Sequence, residues 1–261
     1  YYLDGVEPSG QWIAPAHSHL AEDGAEIDNT HFANLWEGYD RDGHALVQNA
    51  GSSKRQSGWD LTFSADKSVS AAWAVANDDD RAAIETAQQA AVRSAIHLVS
   101  DEAGYTRRGH GGGDREKVDL IAASFQHGSS RAGDPQLHTH ALVANLAERA
   151  DGTTGTIESK AIYQHKMAAG AHYRAALAYE LQQRGFEAQA TEDEHGHTFV
   201  EMPGVSLDAQ AAWSKRREQI EEAANAAGFT TDDDERRADR LTLNSRATKS
   251  ESEDATRGQR W

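Results

Sequence analysis

Between Trp59 and Ser64 apolar and polar side chains alternate without a break, with Trp59, Leu61 and Phe63 on one face and Asp60, Thr62 and Ser64 on the other. This period of two predicts a half-buried strand. Ser64 then stands as the expected N-cap of a helix carrying Val69, Trp73 and Val75, and a second helix is predicted from near Asp80 to about Val99. Gly109, Gly111, Gly112 and Gly113 mark residues 107–114 as a flexible loop. Two apolar runs, 118–127 and 137–146, read as strands joined through a turn over 128–135, close enough to pair as an antiparallel hairpin.

Further along, residues 160–184 predict a long helix with Ser159 as N-cap and Gly185 just past its end. A short hairpin is expected from 186–190 and 197–201, turning at Glu194-His195-Gly196. Ser206 caps one more helix over 207–227, ended by Gly228. Residues 1–57 are Gly-rich, polar and weakly periodic, which suggests short elements joined by loops. Strands mixed with helices, and hairpins in place of βαβ units, predict the α+β class, with an antiparallel sheet carrying helices.

Composition narrows the function classes. The 261 residues are 38% hydrophobic and 26% charged, which is globular. No run approaches the roughly 18 apolar residues of a membrane span, and the N-terminal segment has no secretory pattern. Cysteine is absent. That excludes disulfides, thiolate metal sites and a cysteine nucleophile, and it suits the cytoplasm. A first residue of tyrosine leads to the expectation of a fragment of something longer. The net charge of −16 argues against a nucleic-acid partner, but acidic runs such as Asp78-Asp79-Asp80 are separate from basic pairs such as Lys54-Arg55 and Arg107-Arg108. A basic cleft on an acidic body is compatible with that distribution.

The sharpest candidate chemistry is His127 with His138-Thr139-His140. In a strand, positions i and i+2 share a face, so His138 and His140 project together, and a hairpin brings His127 beside them. Three imidazoles from adjacent strands suit a divalent ion with open coordination positions. The spacing is equally met by ordinary half-exposed histidines, of which a chain with 13 has many. Asp60 lies on the polar face of its strand, where a salt-bridged surface aspartate is the plain alternative. The Tyr1-Tyr2 pair says nothing about nucleophilicity by its spacing alone.

The segment from Gly58 through Ser70, the segment from Phe125 through His140, and Tyr1-Tyr2 followed by Gly10-Gln11-Trp12 resemble the MobF-class conjugative relaxases of the histidine-triad endonuclease superfamily. The likeness runs from Tyr1 to about Lys249, which sets the expected domain at 1–249 and leaves 250–261 as a polar linker or the start of a further region. The resemblance implies a sheet of about five antiparallel strands flanked by helices. It also implies that His127, His138 and His140 hold one divalent ion, with Mg or Mn expected first and Zn or Ni as alternatives. Tyr1, or else Tyr2 or an upstream tyrosine, would attack the scissile phosphate to give a 5′-phosphotyrosine, with Asp60 near the site. The implied partners are single-stranded DNA at a transfer origin, with its hairpin and nick site, and other conjugation proteins, for a monomeric cytoplasmic protein.

Candidate phosphate contacts are Lys67, Arg107, Arg108, Arg131 and Lys215, all basic and near loops or helix starts. Trp12, Trp36 and Trp59 are candidates for base stacking, although Trp59 is better explained as core. A rolling-circle replication initiator shares the same chemistry. A DNA-binding module without catalysis is the competing reading from another class.

Overall fold

The structure, a computed structural model, describes residues 9–130, 132–192 and 196–230. In chain order it runs β1 (Gln11–Ile13), α1 (Asn29–Glu37), β2 (Gly58–Ser64), α2 (Lys67–Val75) and α3 (Asp78–Ala103). The hairpin β3 (Tyr105–Arg108) and β4 (Asp114–Lys117) precedes the long strands β5 (Ala122–Ser129) and β6 (Pro135–Ala144). After the short pair β7 (Ala147–Glu148) and β8 (Thr154–Gly155) come α4 (Ser159–Gln183), β9 (Gln189–Glu192), β10 (Thr198–Glu201), α5 (Leu207–Ala212) and α6 (Lys215–Ala226).

The central sheet has the order β1-β5-β6-β2 and is antiparallel throughout. Among the described residues it has four strands against the expected five or so. The α+β class is as the sequence suggested, and each face of the sheet has its own core.

Alternation along the strands decides which core a residue joins. From β6, Leu137, Ala141 and Val143 pack with Trp59 and Phe63 of β2 against α3 and α4. Leu142 and Ala144 point the other way, joining Ala123 and Phe125 of β5, Trp12 of β1, and Phe32 and Leu35 of α1. A fully buried aliphatic or aromatic side chain contributes about 1.5–3 kcal/mol. A one-residue slip would reverse every one of these placements, so the register is fixed by both cores together.

Helix α3 buries Ile84, Ala87, Gln88, Ala91, Val92, Ala95, Ile96 and Val99, at the three- and four-residue spacing of one stripe, and its alanines let α4 lie close. Asp28 caps α1 by accepting from the His31 N–H at 2.7 Å, and Gly38 ends that helix at φ 94°, a left-handed conformation suited to glycine.

Several boundaries differ from the sequence reading. Ser64 is the last strand residue, paired with His138, and the residue at the helix N-cap is Asp66. Asn77 caps α3, which starts two residues before the expected Asp80 and runs past Val99. The glycine loop shrinks to a short turn because Tyr105–Arg108 pairs with Asp114–Lys117. Residues 118–121 are a connector, and β5 starts at Ala122. The single helix expected over 207–227 is broken at Trp213 and Ser214, where the Trp213 carbonyl accepts from Lys67 Nζ at 2.6 Å. The hairpin turn at Glu194-His195 and the boundary at residue 249 lie outside the described residues.

Candidate metal and phosphoryl-transfer site

On one face of the sheet, α1 and its flanking segments cover Leu142, Ala144, Ala123 and Phe125. Farther along the same face the strands carry His127, His138 and His140. His127 pairs in register with His138, and His140 lies across from Thr62 of β2. The three ring centres are 5.3, 5.3 and 5.2 Å apart. Three imidazoles bound through one nitrogen each at about 2.1 Å, in a roughly tetrahedral array, place their ring centres about 5 Å apart. The spacing of the three ring centres is of that order.

The second ring nitrogens identify which atoms remain for a metal. His140 Nδ1 lies 2.8 Å from Asp60 Oδ2 and 3.0 Å from Oδ1, with Thr62 Oγ1 at 3.1 Å. His138 Nδ1 lies 2.9 Å from the Gln136 carbonyl. An Nδ1–H that donates to a carboxylate or carbonyl fixes the tautomer and makes Nε2 the ligand atom. Asp60 thus reaches the site through His140. Thr62 was not singled out from sequence, although its place two residues after Asp60 on the same face was the available signal.

His127 is aimed by a bulge. The β5–β6 register shifts between His127 and Ser129, and the residue between them is Gly128. A Cβ on Gly128 would stand 2.4 Å from the Trp73 ring, so α2 packs directly onto the bulge. Beyond it, the Ser130–Asp134 turn closes through Ser130 N–H to the Asp134 carbonyl at 2.8 Å and Asp134 N–H to Ser130 Oγ at 3.1 Å.

The candidate phosphate contacts fall into different places. Lys67 is half-buried and donates to the Pro135 and Trp213 carbonyls, tying the start of β6, between His127 and His138, to the α5–α6 break. Burial pushes its ammonium pKa down, and the nearby Asp134 carboxylate opposes that. Lys67→Met is expected to cost about 1–2 kcal/mol in urea unfolding and to speed proteolysis within α5–α6. An unchanged unfolding midpoint would show that the two bonds contribute nothing. Lys215 lies at the same place, 3.6 Å from the buried Asp134, with its own side chain largely exposed.

Arg107 and Arg108 sit on β3 in a network with Glu158, Glu116 and Asp151. That hairpin leads into the Ala122 end of β5, roughly 17 Å of strand from His127. Arg131, Tyr1 and Tyr2 lie outside the described residues. Trp12 and Trp59 are core residues and unavailable for stacking, and Trp36 is half-buried against Phe32.

Two other features were not foreseen. A cleft of about 460 Å³ runs along β2 beside α4, lined by Asp60, Thr62, Tyr163 and Lys166 among others. Asp40, Asp42 and His44 bring ligand atoms within 4.8 Å of one another on a loop. Their bonds are internal, with Asp40 Oδ1 accepting from the Asp42 and His44 N–H groups, as in a turn closed by an aspartate side chain. No helix among the described residues is long and apolar enough to cross a membrane.

The family model for the TrwC relaxase matches residues 1–261. The chain belongs to the TrwC relaxase family. The multifunctional conjugation protein TraI of Escherichia coli (strain K12) is 35% identical to this TrwC-family chain over 237 residues, 85% of the chain and 13% of the relative. The chain thus spans a small part of the curated relatives it matches.

Among solved structures, the metal-bound conjugative relaxase TrwC in complex with oriT DNA superposes with a TM-score of 0.81 at 30% identity, covering 99% of this chain and 92% of that one. TrwC complexed with a 27-mer DNA comprising the recognition hairpin and the cleavage site gives 0.79 at 30% identity, over 96% and 90%. Overall likeness of this extent supports the α+β sheet-and-helix architecture.

Proposed function

We propose that the chain nicks one strand of transfer-origin DNA by tyrosine transesterification, with His127, His138 and His140 holding one divalent ion, Mg or Mn first. The observation that carries this is the histidine triad with Asp60 on His140 Nδ1, on a sheet face whose other half is packed. Support also comes from the TrwC family match and from the related structures with oriT DNA, two of them metal-bound.

When bound, the ion would act as a Lewis acid on the phosphate and stabilise phenolate. The chain's own residues do the rest. Asp60 accepts a hydrogen bond from His140 Nδ1–H, fixes its tautomer and holds its ring. Tyr1 supplies the nucleophile. Its phenol, with an ordinary pKa near 10, gives up its proton to solvent, its oxygen bonds to phosphorus in line, and the bond to the 3′ oxygen breaks as that oxygen takes up a proton from solvent. The product is a 5′-phosphotyrosine with a free 3′-hydroxyl, so the phosphoester bond energy is retained and the nick can be resealed. Tyr2, or a tyrosine upstream, is the alternative nucleophile. Lys215, 3.6 Å from Asp134 of the turn between His127 and His138, is the best placed of the four candidate phosphate contacts among the described residues.

The partners in this reading are single-stranded DNA at a transfer origin and other conjugation proteins, for a monomer in the cytoplasm. The test is covalent capture on single-stranded DNA with Mn. An adduct resistant to SDS, lost with EDTA and lost in Tyr1→Phe, is expected. An adduct that survives Tyr1→Phe would move the nucleophile, and no adduct together with no metal binding would sink the enzymatic reading.

A further inference from the structure

A polar bridge is buried beneath the triad, on the opposite face of the sheet. Gln88 of α3 is fully buried, and its Nε2 donates to the Phe63 carbonyl of β2 at 3.1 Å and to Thr139 Oγ1 of β6 at 3.2 Å. Its Oε1 accepts from the Tyr173 hydroxyl of α4 at 2.6 Å. Tyr173 is itself buried, with its ring 5.2 Å from that of Phe63. The amide therefore uses both of its hydrogens and its oxygen, and it joins two helices to two strands.

Its place in the register distinguishes it from general packing. Phe63 and Thr139 face each other across β2 and β6. Thr139 is the residue between His138 and His140, and Phe63 follows Thr62, which touches His140 Nδ1. One side chain thus holds both strands at the pair next to Thr62–His140, from which the His140–Asp60–Thr62 contacts project to the other face. The surroundings are otherwise apolar, where an aliphatic residue of the same size would satisfy packing alone. Burial pushes the Tyr173 phenol far above its ordinary pKa, so it stays protonated and keeps donating.

We propose that Gln88, oriented by Tyr173, is a positioning residue that sets the spacing of the metal-ligating histidines by clamping Thr139 to Phe63 from below. The inference rests on the reading of the triad as a metal site. Loss of an outer partner of a metal ligand typically costs about 10–100-fold in affinity, and this bridge acts one residue further out, so about tenfold is expected.

The experiment measures Mn affinity by calorimetry and thermal unfolding for Gln88→Leu, Tyr173→Phe and the core control Leu181→Ala. Gln88→Leu is expected to weaken Mn binding about tenfold. Tyr173→Phe should weaken it less, because both amide N–H bonds survive. Leu181→Ala should lower the Tm with Mn affinity unchanged. Wild-type affinity in Gln88→Leu, or equal weakening in Leu181→Ala, would overturn the proposal and leave the bridge purely structural. Should Gln88→Leu not fold, Tyr173→Phe decides alone, and unaltered affinity there overturns it. His140→Ala separates the two levels. If it binds Mn as the wild type does, the triad reading itself fails, whatever Gln88 does.

Discussion

His140→Ala is expected to reduce metal-dependent strand cleavage by about a thousandfold while leaving the fold in place. Metal polarisation of a phosphate is worth several kcal/mol, and each 1.36 kcal/mol is a factor of ten in rate. The change also strips Asp60 of the ring it contacts at 2.8 Å, leaving Thr62 Oγ1 as a side-chain donor to it. His140 is only partly buried, and its face of β6 at that point supports chemistry rather than the core, so far-UV circular dichroism and Tm should change little. Cleavage within tenfold of wild type would show that the triad is not the metal site. Asp60→Asn keeps the size but weakens the contact with Nδ1, and it should cost less, about 10–100-fold.

The second large effect is expected at Gly128. Gly128→Ala places a methyl group 2.4 Å from the Trp73 ring. Trp73 has little freedom to yield, since its Nε1 donates to Glu85 at 2.9 Å and Arg81 stacks on its ring. Overpacking of this kind costs about 1–3 kcal/mol, and the strain falls on the bulge that aims His127. Both a lower Tm and weaker Mn binding are expected. Trp73→Leu in the same chain makes room for the methyl, so the double variant should regain part of the metal affinity. Failure of that rescue, with Tm restored, would separate the bulge from the site.

The strands that carry the site were legible because their alternation is strict. Trp59 to Ser64 and Leu137 to Ala144 each have one face in the helix-side core, and the opposite faces bring Asp60, His138 and His140 together. Pairing of β5 with β6 also followed from the sequence, because the connection is short. What escaped were features decided by distant contacts. Ser64 has the chemistry of a cap, but pairing with His138 keeps it in the strand. Lys67 has the charge of a phosphate ligand, but it is taken up by two backbone carbonyls, one of them 146 positions away at Trp213. The break between α5 and α6 falls at that same Trp213 carbonyl, beside Ser214, whose Oγ donates back to the Gln210 carbonyl at 2.6 Å. Arg107 and Arg108 read as a basic pair, yet acids from three separate segments gather around them.

The ten residues of β6 carry two interleaved messages. Leu137, Ala141 and Val143 pack toward the helices below, with Thr139 among them accepting from Gln88, while His138 and His140 face the candidate metal site on the other side. Selection on such a strand acts with a period of two. Aliphatic exchanges should be tolerated at 137, 141 and 143, whereas 138 and 140 should accept only other metal ligands. A single inserted residue would do what no substitution can, exchanging the two messages at a stroke and turning leucine to the candidate site and histidine to the helix-side core.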